Sequence, residues 1–201
     1  MKILLAGLRG VGKSAVGQLV AKDTGFPIHS LSDLLRKEFP DFMGSSSELR
    51  DMLEALSIQE RAATYKRVIC TLNTYERFIL EMPIVECGDF GLMVPREPIL
   101  RLVSFDVFAL LEAEPAAIIK RRHVRPPKGQ NPFYLEESAE SIKIHQEIAR
   151  QMLIGLGAVL ARPVFIIRNR DDPAATARAI VATIPIAKYD AVFYLNISSK
   201  S

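Results

Sequence analysis

A glycine-rich segment near the start of the chain restricts the possible folds more than any other feature. Residues 7–14 read GLRGVGKS and match the pattern G-x-x-x-x-G-K-[ST] without a gap. A short apolar run, residues 3–6, precedes the segment, and apolar side chains recur at helical spacing over residues 14–22. A strand, a glycine turn and a helix in this order predict the first unit of a parallel α/β fold whose loop binds phosphate.

The residue types of this loop suit the phosphates of a nucleotide. Glycines let backbone N–H groups turn inward around phosphate oxygens. Lys13 is expected to bridge the β- and γ-phosphates of a nucleoside triphosphate, and the Ser14 hydroxyl is expected to bind Mg²⁺. The alternative, a glycine turn without a ligand, leaves the Lys13 charge without an anion to offset it. The residues of this loop expected to bind the nucleotide, which the resemblance described below implies is ATP, are Gly7, Gly10, Val11, Gly12, Lys13, Ser14 and Ala15.

The composition is that of an ordinary globular protein. The residues are 49% hydrophobic and 24% charged, as in globular proteins generally. The length of 201 residues predicts one domain with insertions. A net charge of +3 is too weakly basic for a dedicated nucleic-acid-binding protein. No apolar run approaches the roughly 20 residues that cross a bilayer. Cys70 and Cys87 form neither a disulfide framework nor a zinc pattern. We therefore expect a cytoplasmic protein that handles a small polyanion at one site.

Apolar runs separated by helical patterns continue along the chain. Further strands are predicted over residues 27–30, 83–85, 103–111 and 164–167. Helices are predicted from about residue 32, over 48–80 as one or two helices, after Pro115, over about 136–160, and from residue 173 to before Pro185. Five short strands separated by helices predict a three-layer fold, with a parallel sheet covered by helices on both faces. Residues 189–197 are β-prone and predict an extra edge strand, a subunit contact or a strand end packed on its own domain.

Three segments in a fixed order carry more information than the loop alone. They are the loop, residues 28–36 (IHSLSDLLR) and residues 108–115 (FALLEAEP). Residues 50–52, 56–57, 120–122 and 148–150 add shorter matches. Over residues 1–180 the chain resembles the nucleoside monophosphate kinases, most closely the archaeal type of adenylate kinase. The resemblance implies a P-loop kinase core over residues 1–185, with an acceptor-binding helical insert over about 31–63 and a lid over about 121–138, followed by a tail at 186–201.

The resemblance also implies an activity. Members of the family transfer the γ-phosphoryl group of ATP to a nucleoside monophosphate, here expected to be AMP, with Mg²⁺ and two diphosphates as products. Two alternatives stay open: a P-loop kinase for another small acceptor, and a nucleotide-dependent ATPase or switch that acts on a macromolecular partner. The expected partners are small nucleotides, with no membrane and no nucleic acid. A homo-oligomer, specifically a trimer, is implied by the resemblance alone.

On the acceptor side, the resemblance assigns three residues. Arg36 matches the arginine that grips the acceptor phosphate, a role that suits the planar fork of a guanidinium. Asp33 is a candidate acceptor contact, although it also suits a helix cap. Arg96 is the candidate for a second acceptor arginine, with Arg101 as its competitor.

On the donor side, the resemblance assigns arginines and one acid. Arg121 falls where the family places an arginine against the donor adenine or its phosphates, and Arg125 is the next candidate. Arg150 matches an arginine that reaches the transferring phosphoryl group. Such a cluster suits phosphoryl transfer, because negative charge spreads over the equatorial oxygens of that group. Each arginine has the alternative of a solvated surface charge. Glu86, at the end of the third predicted strand, is expected to hold Mg²⁺ through water, with Asp89 as its competitor.

Overall fold

Eight strands are seen in the computed structural model, which describes residues 1–44, 46–88, 91–93, 98–124, 138–184 and 192–195. They are β1 (Lys2–Gly7), β2 (Ile28–Ser30), β3 (Phe78–Met82), β4 (Glu86–Gly88), β5 (Gly91–Met93), β6 (Val107–Glu112), β7 (Val164–Arg168) and β8 (Val192–Leu195). Six of them form a parallel sheet in the order β2-β3-β1-β6-β7-β8, while β4 and β5 pair antiparallel with each other. The predicted parallel α/β fold is confirmed, with β8 as a sixth strand at the edge beside β7.

The helices within the described residues connect these strands and cover both faces of the sheet. They are α1 (Lys13–Thr24), α2 (Leu31–Lys37), α3 (Ser46–Ala55), α4 (Ile58–Asn73), α5 (Pro98–Leu102), α6 (Pro115–Val124), α7 (Ala139–Leu160) and α8 (Pro173–Thr183). Side-chain caps mark several starts: Ser57 and Glu60 form a capping box for α4, and Ser138 and Asp172 cap α7 and α8. α1 packs against α8, and α6 packs against α7.

The core lies along the four central strands, β3, β1, β6 and β7. Their residues are buried almost without interruption, because helices on both faces leave no strand face in water. Phe78, Phe105 and Phe108 form a series of rings with centroids 6.0 Å apart. Phe78 and Phe108 lie at the amino-terminal ends of β3 and β6. The glycine loop and its neighbours lie at the carboxyl ends of the strands, where ligands bind in sheets of this kind.

The third strand of the sheet corrects the sequence prediction. It is Phe78–Met82 and not residues 83–85, and α4 ends at Asn73, so the helix predicted as far as residue 80 is too long. A fully buried strand shows no alternation of polar and apolar side chains, so periodicity does not separate it from the end of a buried helix. Glu86 consequently lies in β4, outside the main sheet, and Glu81 is the acid near the end of the third strand.

Other boundaries differ by smaller amounts. The fourth strand of the parallel sheet begins at Val107 rather than residue 103, since Val103 still donates its N–H to Ile99 at the end of α5. α2 begins at Leu31, so Asp33 lies within its first turn and is not its cap. The predictions for Asp89, Arg96, Arg125 and lid residues 125–137 lie outside the described residues, and only the backbone of Glu86 is described. Within the described ranges, no helix is both long and apolar enough to cross a membrane.

Candidate active site

The glycine loop joins the end of β1 to the start of α1. Gly10 and Gly12 have φ angles of +88° and +98°, a left-handed region that side chains other than glycine rarely adopt. The Lys13 ammonium donates to the carbonyl oxygens of Gly7 and Leu8, each at 2.9 Å. The loop therefore curls around the lysine side chain and holds its positive charge at the carboxyl edge of the sheet.

Glu81 faces this loop from β3. Its Oε2 accepts a hydrogen bond of 3.0 Å from the Ser14 hydroxyl, while its buried Oε1 has no hydrogen-bond partner in the part of the chain that the structure describes. Burial raises the pKa of Glu81, the Ser14 hydrogen bond and the Lys13 charge oppose the rise, and the negative charge of Asp33 adds to it. Glu81 thus takes the position that the sequence analysis gave to Glu86.

Gly17 in α1 makes room for this carboxylate. A Cβ atom added there would lie 2.3 Å from Glu81 Oε1 and 2.6 Å from Ile28 Cδ1. Sequence reasoning missed both Gly17 and Glu81. The available signal was an acid within the apolar run FILEM just before Pro83, which is typical of a buried strand that ends at a site.

A cleft of about 910 Å³ opens on the other side of the loop. The loop, α6 and the segment that follows β7 form its walls, and its lining includes Lys13, Ser14, Arg121 and Asp171. Arg121 donates to the carbonyl of Gly10 at 3.0 Å and forms an ion pair with Asp171, so it links α6 to the far wall. A deep cleft that begins at a phosphate loop and contains cationic side chains suits the donor nucleotide.

Two further side chains that line the cleft, Arg122 and Asn169, hold carbonyl groups of the loop. Arg122 donates to the carbonyl of Arg9, and Asn169 donates to the carbonyl of Val11. The sequence analysis included Arg122 only within a basic segment and missed Asn169. No local pattern marks Asn169, because its partner is 158 residues away along the chain.

The structure does not bring Arg150 into the cleft. Its guanidinium forms two hydrogen bonds with the buried Glu112 carboxylate, at 2.9 and 2.7 Å, and a third of 2.6 Å with Glu147. Arg150 is therefore an ion-pair partner at the end of β6. A contact between Arg150 and the phosphoryl group stays a prediction.

The predicted acceptor residues Asp33 and Arg36 lie in α2 and are not among the residues that line the cleft. α2 packs against β3, and Asp33 in its first turn is near enough to Glu81 to affect its pKa. Arg36, one turn further on, donates to the carbonyl of Gly44 at 2.6 Å and lies 5.8 Å from the centre of the Phe42 ring. Asp33 and Arg36 therefore share a short helix beside the loop.

The parallel sheet, the glycine loop with Lys13 and Ser14, and the adjoining cleft define the class of the protein as a P-loop nucleotide-binding protein. The family model AAA_17, described as "AAA domain", matches residues 6–143, so the chain belongs to that family. The chain is 28% identical over 193 residues to an adenylate kinase of Thermoplasma acidophilum, covering 92% of this chain and all of the relative. It is also 28% identical over 187 residues to an adenylate kinase of Thermoplasma volcanium, covering 92% and 99% of the two chains.

Solved structures of other small kinases share the fold. A shikimate kinase from Aquifex aeolicus is similar with a TM-score of 0.57 and 15% identity, over 95% of this chain and all of the other. A shikimate kinase from Bacteroides thetaiotaomicron has a TM-score of 0.56 and 13% identity, over 92% and 98%. A gluconokinase from Sinorhizobium meliloti has a TM-score of 0.52 and 17% identity, over 93% of each chain. At these identities the similarity shows the fold alone.

Proposed function

We propose that the protein transfers the γ-phosphoryl group of ATP to AMP and releases two molecules of ADP, with Mg²⁺ as cofactor. The observation that carries the proposal is the position of Ser14 between two different flanks. On one flank Ser14 lines the donor cleft, and on the other it contacts Glu81, which lies beside the first turn of α2. A kinase that transfers a phosphoryl group between two substrates needs a donor pocket and an acceptor pocket that meet at the transferring group.

On the donor flank, the loop N–H groups and Lys13 would hold the phosphates of ATP, and Arg121 would lie against the nucleotide. Lys13 exchanges its bonds with the Gly7 and Leu8 carbonyls for the β- and γ-phosphate oxygens in this proposal. The Lys13 bonds to carbonyls and those to phosphates are all charge-assisted hydrogen bonds. The bonds to phosphates are the stronger because both partners are ionised. The cationic groups therefore stabilise the charge that spreads over the transferring group.

The residues beside Ser14 fit a magnesium ion. The Ser14 hydroxyl and the Glu81 carboxylate are oxygen donors, which Mg²⁺ prefers, and Glu81 Oε1 is buried without a hydrogen-bond partner in the described ranges. In this proposal Ser14 would hold the ion directly and Glu81 would hold it through water, the role that was expected of Glu86 from the sequence. When bound, the ion neutralises charge on the phosphates. Glu81 also orients the Ser14 hydroxyl through the hydrogen bond already formed.

On the acceptor flank, Arg36 and Asp33 are proposed to contact AMP, with Arg96 as the predicted second arginine. Arg36 suits the AMP phosphate because a guanidinium stays charged and offers two parallel donors. The acceptor phosphate is already an anion at neutral pH, so no side chain has to act as a general base. The acceptor flank therefore has to position AMP and neutralise its negative charge, and nothing more.

One observation favours a second candidate, a P-loop kinase whose acceptor carries hydroxyl groups in place of a phosphate. The negative charge of Asp33 helps to raise the pKa of Glu81, so the charges of these two carboxylates interact. Carboxylates accept hydrogen bonds from hydroxyl groups, whereas they repel an acceptor phosphate unless a cation lies between them. The two candidates share the donor flank and differ in what Asp33 and Arg36 contact on the acceptor flank.

An assay of ADP formation from ATP and Mg²⁺ separates the candidates. The panel of acceptors is AMP, CMP, UMP, GMP, shikimate, gluconate and no acceptor. We expect AMP to raise the rate at least about tenfold above the rate without acceptor, with the other nucleotides slower. A Lys13→Ala protein purified in parallel controls for contaminating kinases. Faster reaction with a hydroxylated acceptor supports the second candidate, and equal rates with and without every acceptor indicate an ATPase or switch.

A further inference from the structure

Two carbonyl groups of the phosphate loop are held by buried side chains from outside the loop. The carbonyl oxygen of Arg9 accepts hydrogen bonds from Nε and Nη2 of Arg122, at 3.0 and 2.8 Å. The carbonyl oxygen of Val11 accepts one from Nδ2 of Asn169, at 2.8 Å. Arg122 is 6% exposed and Asn169 is 2% exposed, so water competes little for these bonds.

Asn169 is itself fixed by its neighbours. Its side-chain oxygen accepts a hydrogen bond of 3.3 Å from the Thr176 hydroxyl on α8, and its backbone N–H donates to the carbonyl of Glu112 at 2.7 Å. The amide therefore connects the loop to β6 and to α8. Arg121, which holds the intervening Gly10 carbonyl, differs because it is 28% exposed and shares its guanidinium with Asp171.

The direction of a carbonyl determines the direction of the next N–H. A peptide unit is planar and trans, so its C=O and the N–H of the following residue point in opposite directions. Holding the Arg9 and Val11 carbonyls toward α6 and β7 therefore turns the N–H groups of Gly10 and Gly12 to the other side. The Val11 N–H between them donates to the Leu8 carbonyl at 3.4 Å, within the loop.

The two glycines allow the bracing side chains to come close. A Cβ atom added at Gly12 would lie 2.6 Å from Asn169 Nδ2, and one added at Gly10 would lie 3.2 Å from Arg122 Cγ. A side chain at Gly12 would therefore displace Asn169 or the loop, while one at Gly10 would press against Arg122. The glycines of the motif therefore leave room for Asn169 and Arg122, besides permitting the turn.

We propose that Asn169 and Arg122 are positioning residues for phosphate binding. By holding the carbonyls of Val11 and Arg9, they direct the N–H groups of Gly12 and Gly10 toward the phosphates of the nucleotide, where a phosphate-binding loop needs its donors. The inference rests on the donor half of the proposed function and does not depend on AMP as the acceptor. The inference applies to any nucleotide that carries a β-phosphate.

The test measures ADP binding to the full chain by calorimetry, without an acceptor, together with the amide resonance of Gly12. We expect Asn169→Ala to weaken ADP binding about tenfold, because the Val11 carbonyl loses its buried donor and the adjoining peptide is free to turn. The shift of the Gly12 amide resonance on ADP binding should shrink in parallel. Asn73→Ala is the matched control, since Asn73 also donates to a backbone carbonyl, that of Leu102, but far from the loop.

Two further variants keep the test decisive if Asn169→Ala unfolds. Arg122→Lys retains a positive charge near the phosphates but loses the paired donors, and Thr176→Val removes only the link that orients Asn169. We expect both to weaken ADP binding by about threefold or more. A variant with a lower melting temperature but wild-type ADP affinity and Gly12 shift overturns the inference. Failure of the wild-type chain to bind ADP overturns both this inference and the proposed donor site.

Discussion

The two flanks of the phosphate loop are held in different ways. On the donor flank, Arg122 and Asn169 reach the loop from 113 and 158 residues away and are almost fully buried. On the acceptor flank, Arg36 bonds to a backbone carbonyl eight residues away, and β2 is a half-buried strand of three residues. Segments with few buried long-range contacts open at lower free-energy cost. We therefore expect the donor flank to be preformed and the acceptor flank to be completed by its substrate.

The largest expected effect belongs to Lys13, where both flanks meet. Lys13→Ala should lower turnover at least about 100-fold, because a well-placed cation contributes several kcal/mol to the phosphoryl-transfer barrier. Steady-state kinetics and a melting curve measure the effect and confirm folding. Lys22→Ala, in the last turn of the same helix, is the control and should retain turnover. Retention of more than about a tenth of the wild-type rate by Lys13→Ala would contradict the assignment of the loop as catalytic.

Arg36 tests whether the two flanks bind separate nucleotides. Arg36→Ala should reduce kcat/KM for the acceptor by roughly 10- to 150-fold, the value of one charge-assisted pair, while ATP affinity without acceptor changes little. Arg67→Ala is the control, since Arg67 is half-exposed and pairs with Glu38 next to α2. An equal loss of ATP affinity in Arg36→Ala would count against two distinct sites.

Arg150 tests whether an ion-pair partner also acts on the substrate. Arg150→Ala should lower the free energy of unfolding by about 1.5–3 kcal/mol, since the buried Glu112 carboxylate loses its charged hydrogen bonds. Replacing both residues by leucine should restore most of the stability. We expect turnover to remain low in the double variant, as a phosphoryl contact requires. Recovery of turnover together with stability would show that Arg150 is structural only.

His29 in β2 gives the smallest effect and reports on the acceptor flank alone. Burial first, and the Lys37 charge second, lower the pKa of His29, whose ring lies 4.7 Å from that of Tyr75. The folded state then binds fewer protons than the unfolded state, so stability is lost as the pH falls below 6.5 toward the lowered pKa. Unfolding titrations should show a smaller loss in His29→Phe and an intermediate one in Lys37→Gln. A full loss in His29→Phe would remove His29 as the cause.

Sequence reasoning succeeded where neighbouring residues form a structure together. The strand, loop and first helix are contiguous, so residues 3–22 could be predicted from one motif and two patterns. It failed at Phe78–Met82, because a strand buried on both faces has no alternation, and the error moved the expected acid from Glu81 to Glu86. It also missed Asn169, whose contact with the loop exists only after β7 pairs with β6. Contacts of this kind depend on the completed sheet.

The most direct test of the two-site account is hydrogen exchange with a ligand that joins two adenosines through five phosphates. This ligand spans a donor site and an acceptor site at once. If the protein binds two nucleotides, this ligand protects the phosphate loop, α6 and α2 together and binds more tightly than ATP, whereas ATP alone protects the loop and α6. A ligand that binds no more tightly than ATP and leaves α2 as exchangeable as in the free protein would rule out the second nucleotide site.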